Sequence, residues 1–219
     1  MLNRFTTEDS KNMLIYVCDR IVENEPNLTE IDEKIGDGDH GIGMKRGFSH
    51  LKTELNERNT FTNINELMKF CGIELLKTMG GASGVLFCTF FIGGLKSVKE
   101  TDEVTTKFLY DFFKGSLESI KKRGKAEYGD KTMVDPLEHV VESFKISADK
   151  NYDVFEALRK AKEAALVGVE LTKHMIPKFG RARNYGNRAI GIQDAGATSV
   201  YLIFKSMSDW AEINRENNL

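Results

Sequence analysis

Apolar residues recur every three or four positions along most of this chain, and proline is scarce. Met13, Val17 and Ile21 follow this spacing near the start, and similar stripes continue through the later segments. The spacing places apolar side chains on one face of an α-helix. Only three prolines occur in 219 residues, so helices can run uninterrupted almost everywhere. We therefore predict an all-α protein, a single domain over residues 1–219 built as an antiparallel, barrel-like bundle of about eight helices with no convincing strand.

Local signals indicate where several of these helices begin. Thr6-Thr7-Glu8-Asp9 is typical of a capping box. In Asp135-Pro136 the aspartate is predicted to cap a helix and the proline to occupy its first turn. Residues 85–95 are apolar on nearly every side, which suits a buried helix or a buried strand, and we favour the helix because its neighbours are helical. Residues 177–196, with four glycines and three arginines, predict a long loop before a closing helix over residues 198–214.

Composition excludes several classes of function. The 31 basic and 33 acidic residues give a net charge of −2, which argues against a nucleic-acid partner. No apolar run reaches the roughly 18 residues of a membrane span, and the start lacks a signal-peptide stretch. The three cysteines are widely spaced among apolar residues and predict buried thiols in a reducing compartment. The 14 phenylalanines fall on helical stripes and predict core. We expect a soluble cytoplasmic protein without a membrane partner.

Three breaks between helices are richer in Gly, Asp, Ser or Arg than simple connections need. They cover residues 36–43, 80–84 and 177–196. Polar loops at one end of a rigid bundle are a common place for a ligand site.

The first break carries three carboxylates, Asp32, Asp37 and Asp39, within eight residues. Such carboxylates repel one another unless a cation compensates them, and carboxylate oxygens with substrate phosphates are typical Mg²⁺ ligands. A helix starting near Gly41 would also present free N–H groups to a phosphate. The same residues suit a solvated acidic turn that caps a helix, so spacing alone leaves both interpretations open.

The other polar segments are weaker signals when taken singly. Gly80-Gly81-Ala82-Ser83-Gly84 suits a phosphate cradle or a tight turn capped by Ser83. Gly180-Arg181-Ala182-Arg183 offers guanidinium groups to phosphate or is simply flexible. Residues 123–133 favour a solvated charged loop. No Ser/His/Asp or Cys/His pairing stands out, so no covalent nucleophile is predicted.

Together, however, the motifs resemble the ADP-binding (L) subunit family of dihydroxyacetone kinases, in the family's order and over essentially the whole chain. The matching residues are Ile35-Gly36-Asp37-Gly38-Asp39-His40-Gly41, Gly80-Gly81-Ala82-Ser83-Gly84, Gly129-Asp130-Lys131-Thr132-Met133-Val134-Asp135 and Asp194-Ala195-Gly196-Ala197-Thr198.

The resemblance implies an eight-helix barrel that binds ADP or ATP at one end. It implies that Asp32, Asp37 and Asp39 hold Mg²⁺, about two ions, between their carboxylates and the nucleotide phosphates. The nucleotide contacts that it implies are His40, Gly41, Ile42, Gly43, Ala82, Ser83, Gly124, Met133, Arg181, Asp194, Ala195 and Gly196. Arg181 is preferred to Arg183 because it directly follows Gly180. Two residues depart from the family, which often has Asn at Gly43 and Pro at Ala195.

The resemblance also implies a phosphotransferase that acts on an alcohol group and works only with partner subunits. A separate K subunit would hold the small ketose, and a phosphocarrier M subunit fed by phosphoenolpyruvate would rephosphorylate ADP that stays bound as a coenzyme. The family further implies a homodimer and, in some members, contact with a transcription regulator. Two alternatives stay open: the L subunit of an ATP-dependent dihydroxyacetone or erythrulose kinase, and a non-catalytic, ADP-loaded regulatory module. Which ketose is used is not encoded in these residues.

Overall fold

A computed structural model describes residues 4–216, so the ends of the predicted domain at residues 1–3 and 217–219 lie outside the described residues. The α-helices are α1 Thr7–Glu23, α2 Glu25–Ile35, α3 Asp39–Glu57, α4 Ile64–Thr78, α5 Gly81–Ile92, α6 Thr106–Gly124, α7 Val134–Asp149, α8 Val154–Thr172 and α9 Ala195–Glu216. Two 3-10 helices, Gly93–Ser97 and Arg181–Ala189, and two strands, β1 Phe5–Thr6 and β2 Glu103–Val104, complete the elements.

Eight of these helices close a ring, in the order α1, α3, α4, α5, α6, α7, α8 and α9. Each helix packs on the next, and α9 packs back on α1, while α2 lies against α3 and α9. From α3 onward the ring neighbours follow one another in sequence, as in an antiparallel bundle. The predicted all-α, barrel-like bundle is confirmed. Its polar connections before α3, α5, α7 and α9 fall at one end, which we call the site end.

Aromatic side chains from several helices contact one another in the core. Phe113 lies with its ring centroid 5.4 Å from that of Phe90 and 4.9 Å from that of Phe204, in edge-on or tilted contacts. Phe144 stacks on Phe113 at 5.6 Å. These four rings, from α5, α6, α7 and α9, are each at most 4 % exposed. The phenylalanine stripes therefore form core, as predicted. Close packing of these rings fixes the positions of the helices whose starts form the site end.

Several predicted boundaries are confirmed. Thr6 caps α1 in a reciprocal capping box with Asp9, and the apolar segment from residue 85 lies in α5. The three cysteines are buried and unpaired. Within the described residues, no helix is long and apolar enough to cross a membrane.

The prediction that Asp135 caps its helix is wrong. Met133 is the N-cap of α7 and makes no side-chain cap bond. Asp135 lies inside the first turn, where its carboxylate accepts hydrogen bonds from the backbone N–H of Gly129 at 2.6 Å and of Thr132 at 2.7 Å. The carboxylate thus orders the loop before the helix rather than the helix start itself.

Three further predictions need correction. The chain does contain strands, because β1 and β2 pair antiparallel through Phe5 with Val104 and Thr6 with Glu103. The break over residues 36–43 is shorter than predicted, since α3 begins at Asp39. The segment over residues 177–196 is not a plain loop: it contains the Arg181–Ala189 3-10 helix, bent at Gly186, and α9 begins at Ala195. These helices contain glycine in their first turns or at a bend with positive φ, and glycine in a sequence is usually taken to indicate a loop.

Candidate functional site at the site end

The connections at the site end contact one another across the barrel. Arg181, from the α8–α9 connection, places its Nε 2.8 Å from Asp37 Oδ2 in the α2–α3 connection. Lys131, from the loop before α7, donates to the Ala189 carbonyl at 2.9 Å. The position of a Cβ on Gly196 lies 3.8 Å from Met133. Residues up to about 160 positions apart in the chain thus share one site because alternate helices of the ring start there.

Asp32, Asp37 and Asp39 converge as the acidic motif predicts. One carboxylate oxygen from each lies within 4.8 Å of the others. The turn between them requires glycine, since a Cβ at Gly36 would lie 2.3 Å from Asp32 Oδ1 and Gly38 has a left-handed φ of 76°. An oxygen-only donor set on a fixed turn fits a hard divalent cation such as Mg²⁺.

The electrostatics of this acidic cluster also favour a cation. Loss of hydration raises the pKa of Asp39, the charges of Asp37 and Asp32 raise it further, and Arg181 opposes the shift. The Arg181 side chain is 74 % exposed, so solvent screens its contribution. One guanidinium faces three carboxylates, and the cluster keeps a net negative charge.

His40 joins the start of α3 to the start of α9. Its Nε2 lies 2.8 Å from Ser199 Oγ, and its backbone N–H donates to Asp32 Oδ2 at 3.3 Å. Burial lowers the pKa of His40, against the Asp32 charge and a hydrogen bond with the Ala195 backbone. A neutral imidazole in this position serves to fix geometry rather than to supply charge.

The first turn of α3 combines a tightly packed glycine with two accessible residues. A Cβ at Gly41 would lie 2.3 Å from Thr29 Oγ1, so glycine lets α3 pack directly on α2. Ile42 is 55 % exposed. A Cβ at Gly43 would have no neighbour within 4 Å, so a larger side chain there would extend into open space.

The start of α5 is built to approach a ligand closely. Gly80 makes no side-chain cap bond to the helix, so the first-turn N–H groups are not capped by the residue that precedes them. Gly81 has a left-handed φ of 65°, while a Cβ at Gly84 would lie 1.9 Å from the Met79 carbonyl oxygen. Ala82 is exposed and Ser83 half-buried, so both residues are accessible at this helix start. Such a helix start suits an anion.

Asp194 organises the start of α9. Its Oδ2 accepts from the Ala197 N–H at 2.8 Å, and its own N–H donates to Thr172 Oγ1 at 3.1 Å. Loss of hydration raises the pKa of Asp194 to about 7; the Ala197 hydrogen bond and Lys131 lower it, and the Asp135 charge raises it. The carboxyl of Asp194 therefore keeps its proton up to a higher pH than the carboxyl of an exposed aspartate does.

The remaining predicted residues also lie at the site end. Gly124 is the last residue of α6, and a Cβ there would lie 3.3 Å from Leu86 of α5. Met133, 5 % exposed, borders Gly196 at the start of α9. Ala195 is buried. All the predicted site residues thus lie at the site end.

Two residues that contact this site were not singled out by sequence reasoning. Lys131 is 1 % exposed and is held by backbone carbonyls of the α8–α9 connection, so a solvated loop is the wrong interpretation of its segment. Tyr185 donates its hydroxyl to the Gly36 carbonyl at 3.3 Å. A lysine inside a Gly- and Asp-rich loop carries no sequence sign of burial, because lysine is almost always exposed.

A closed helical barrel with an acidic cluster and glycine-rich helix starts at one end defines a recognisable class of protein. Residues 34–209 match the family model described as the DAK2 domain, and the chain belongs to this family. The family resemblance inferred from the sequence is confirmed.

Two relatives and one solved structure locate the chain within that family. It is 40 % identical over 192 residues to the ADP-binding subunit of the PEP-dependent dihydroxyacetone kinase of Escherichia coli, covering 87 % of this chain and 91 % of the relative. It is 30 % identical over 193 residues to the L-erythrulose kinase of Pectobacterium atrosepticum, covering 87 % of this chain and 32 % of that protein. The dihydroxyacetone kinase from C. freundii, solved with AMP-PNP and Mg²⁺, superposes with a TM-score of 0.71 at 25 % identity, over 91 % of this chain and 33 % of its own.

Proposed function

We propose that this chain is the nucleotide-carrying subunit of a dihydroxyacetone kinase. It binds ADP or ATP with Mg²⁺ at the site end and transfers a phosphoryl group to a small ketose held by a separate K subunit. One observation carries the proposal: three aspartate oxygens within 4.8 Å of one another lie where the starts of α3 and α9 meet. Phosphates and a divalent cation are the ligands that such a junction accommodates together.

The side chains of this site divide the work between charge and orientation. Asp32, Asp37 and Asp39 would hold the metal, which when bound neutralises phosphate charge and aligns the terminal phosphoryl group. At the starts of α3, α5 and α9, the N–H groups that Asp32 and Asp194 do not accept would orient the phosphate oxygens. His40 keeps α3 and α9 in register through Ser199. Because no side chain needs to form a covalent bond, positioning and electrostatics supply the catalysis.

Arg181 occupies two roles in this proposal. Without ligand its guanidinium pairs with Asp37 and offsets part of the cluster's repulsion. With nucleotide and metal in place, the same exposed side chain can turn to the phosphates, which bind guanidinium in a bidentate way.

For the phosphoryl source we propose the PEP-fed route, in which bound ADP is rephosphorylated in place by a phosphocarrier M subunit. The support is the 40 % identity to a PEP-dependent ADP-binding subunit, against 30 % to the L-erythrulose kinase. The homodimer and the contact with a transcription regulator stay predictions from the family resemblance.

Native mass spectrometry with chromatographic analysis of the released nucleotide tests the site directly. We expect one ADP and about two Mg²⁺ per chain. Asp37→Asn should lose Mg²⁺-dependent ADP binding, whereas Glu30→Gln, which removes a carboxylate from the exposed face of α2, should bind normally. Equal binding by native protein and Asp37→Asn would refute the metal site.

A second experiment separates the donors. The protein is loaded with labelled ADP, mixed with a K subunit and dihydroxyacetone, and supplied with either free ATP or a phosphorylated M subunit. Turnover with the M subunit while the label stays bound supports the PEP-fed route. Rapid exchange of the label and turnover with ATP alone would establish the ATP-dependent kinase.

The regulatory module is kept as a second candidate because of Gly43. A Cβ there would have no neighbour within 4 Å. The family resemblance implies an asparagine at this position in many members, and this chain offers no polar side chain there. Nucleotide binding without product, across both donors and across dihydroxyacetone and erythrulose, would favour the module.

A further inference from the structure

The ammonium group of Lys131 is buried at the site end and is saturated by backbone oxygens. Its Nζ donates to the carbonyls of Thr172 at 2.7 Å and Ala189 at 2.9 Å, and to that of Ile192. An ammonium group has three N–H donors, and three carbonyls receive them. Lys131 therefore has no donor left for a phosphate.

The three carbonyls mark successive points of the α8–α9 connection. Thr172 ends α8, Ala189 ends the second 3-10 helix, and Ile192 lies two residues before Asp194. Backbone bonds also hold parts of the connection, among them Gly191 N–H to the Lys173 carbonyl at 2.7 Å and Lys178 N–H to the Asp130 carbonyl at 3.2 Å. One side chain from the loop before α7 thus gathers the segment that carries Arg181 and Asp194.

The backbone of Lys131 also departs from the ordinary. Its φ of 59° is left-handed, a region that residues other than glycine rarely adopt and that persists only where surrounding contacts impose it. Hydrogen bonds from Gly129 and Thr132 to Asp135 hold the loop on both sides of Lys131. The loop is therefore built to aim this side chain inward.

We infer that Lys131 is a positioning residue of the nucleotide site, which clamps the α8–α9 connection so that Arg181 and the start of α9 stand ready for ADP. This inference rests on the proposed function. Removing the ammonium leaves the Ile192 carbonyl without its donor and leaves those of Thr172 and Ala189 with only the N–H groups of Met175 at 3.1 Å and Ile192 at 3.3 Å. This loss favours an open connection. ADP then binds only the clamped fraction, and its apparent affinity falls in proportion to that fraction.

The test compares Lys131→Met with Lys178→Met. Lys178 belongs to the same connection and pairs with Asp130 at 2.6 Å, but its side chain is 67 % exposed and contacts none of the three carbonyls. Both variants remove one positive charge from the same neighbourhood. Only the first removes the clamp, so a difference between them separates positioning from simple attraction of the phosphates.

Two quantities are measured on the full-length chain with Mg²⁺: the Kd for ADP by calorimetry, and amide hydrogen exchange. In Lys131→Met we expect the Kd to rise by about 30-fold or more. Amide exchange in residues 189–197 should accelerate by at least the factor by which the Kd rises, while exchange in α4 is unchanged. Saturating ADP should restore the protection. Lys178→Met should stay within about threefold of native in Kd.

Lys131→Arg keeps the argument testable if the methionine variant does not fold. It retains the charge and the N–H donors, so any loss of ADP affinity must be accompanied by an at least equal gain in the opening of residues 189–197. An affinity loss without opening, or native-like binding by Lys131→Met, overturns the inference. Failure of the native protein itself to bind ADP would instead refute the proposed function.

Discussion

Replacing Asp194 by asparagine should change how the stability of the ligand-free protein depends on pH. In the unfolded chain this carboxyl loses its proton near pH 4, whereas in the folded protein desolvation raises the pKa of Asp194 to about 7. Between these values the folded state binds more protons, so this group lowers the free energy of unfolding as pH rises. The asparagine of the variant cannot titrate, yet its amide oxygen can still accept the Ala197 N–H.

The magnitude follows from the two pKa values. Each unit of difference corresponds to about 1.4 kcal/mol. The shift from 3.8 to about 7 therefore caps the destabilisation by ionised Asp194 at roughly 4 kcal/mol. From about pH 5 to about pH 8 the unfolded state is already ionised and the folded state loses its proton, which accounts for about 2.5 kcal/mol of this total. We expect the Asp194→Asn variant to gain that amount relative to native over this interval.

The assay is urea unfolding followed by circular dichroism, for both proteins, at several pH values in that interval and without nucleotide or Mg²⁺. Subtracting the native curve removes the groups that both proteins share. Asp130→Asn is the matched control. Burial raises the pKa of Asp130, but the Glu127 N–H and the Lys178 ammonium outweigh it and the pKa is lowered, so its difference from native should be flat. A flat difference for Asp194→Asn as well would refute the reasoning.

Three further substitutions give sharp expectations. Gly84→Ala should destabilise the fold by about 3 kcal/mol in urea unfolding, because its Cβ would meet the Met79 carbonyl at 1.9 Å. Gly43→Ala, the matched helical glycine with no neighbour within 4 Å, should instead stabilise it by up to about 1 kcal/mol, and destabilisation there would contradict the open space. Arg181→Ala should weaken ADP binding with Mg²⁺ about tenfold by calorimetry and leave stability within about 0.5 kcal/mol; unchanged binding would remove Arg181 from the site.

Most of the fold could be predicted because helical periodicity is a local property. In α1, α4 and α6 the spacing of the apolar residues alone identifies the face that each helix buries. The strand pair is not predicted because two residues on each side carry no alternation, and Phe5 and Val104 are far apart in the sequence. Helix starts at Asp39 and Ala195 were misplaced because glycine in a first turn looks like loop chemistry in a sequence.

The candidate site divides in the same way. The acidic cluster could be predicted, since Asp32, Asp37 and Asp39 lie within eight residues and their chemistry is evident from type and spacing. The clamp could not, because Lys131 meets the Ala189 carbonyl 58 residues further along the chain. Long-range contacts to backbone carbonyls depend on where the chain runs, not on which residues it contains, and so leave no pattern to find.

The closed ring also determines when a working site can exist during synthesis. The acidic cluster lies near residue 37, but His40 finds Ser199 159 residues later, and the ring has no closing wall until α9 packs on α1. During synthesis on the ribosome, the apolar faces of the earlier helices therefore stay exposed until α9 has been made. Such contacts between distant parts of a chain form slowly and leave apolar surface exposed to aggregation. A premature stop before α9 should thus remove ADP binding and solubility together, although every carboxylate of the acidic cluster has already been made.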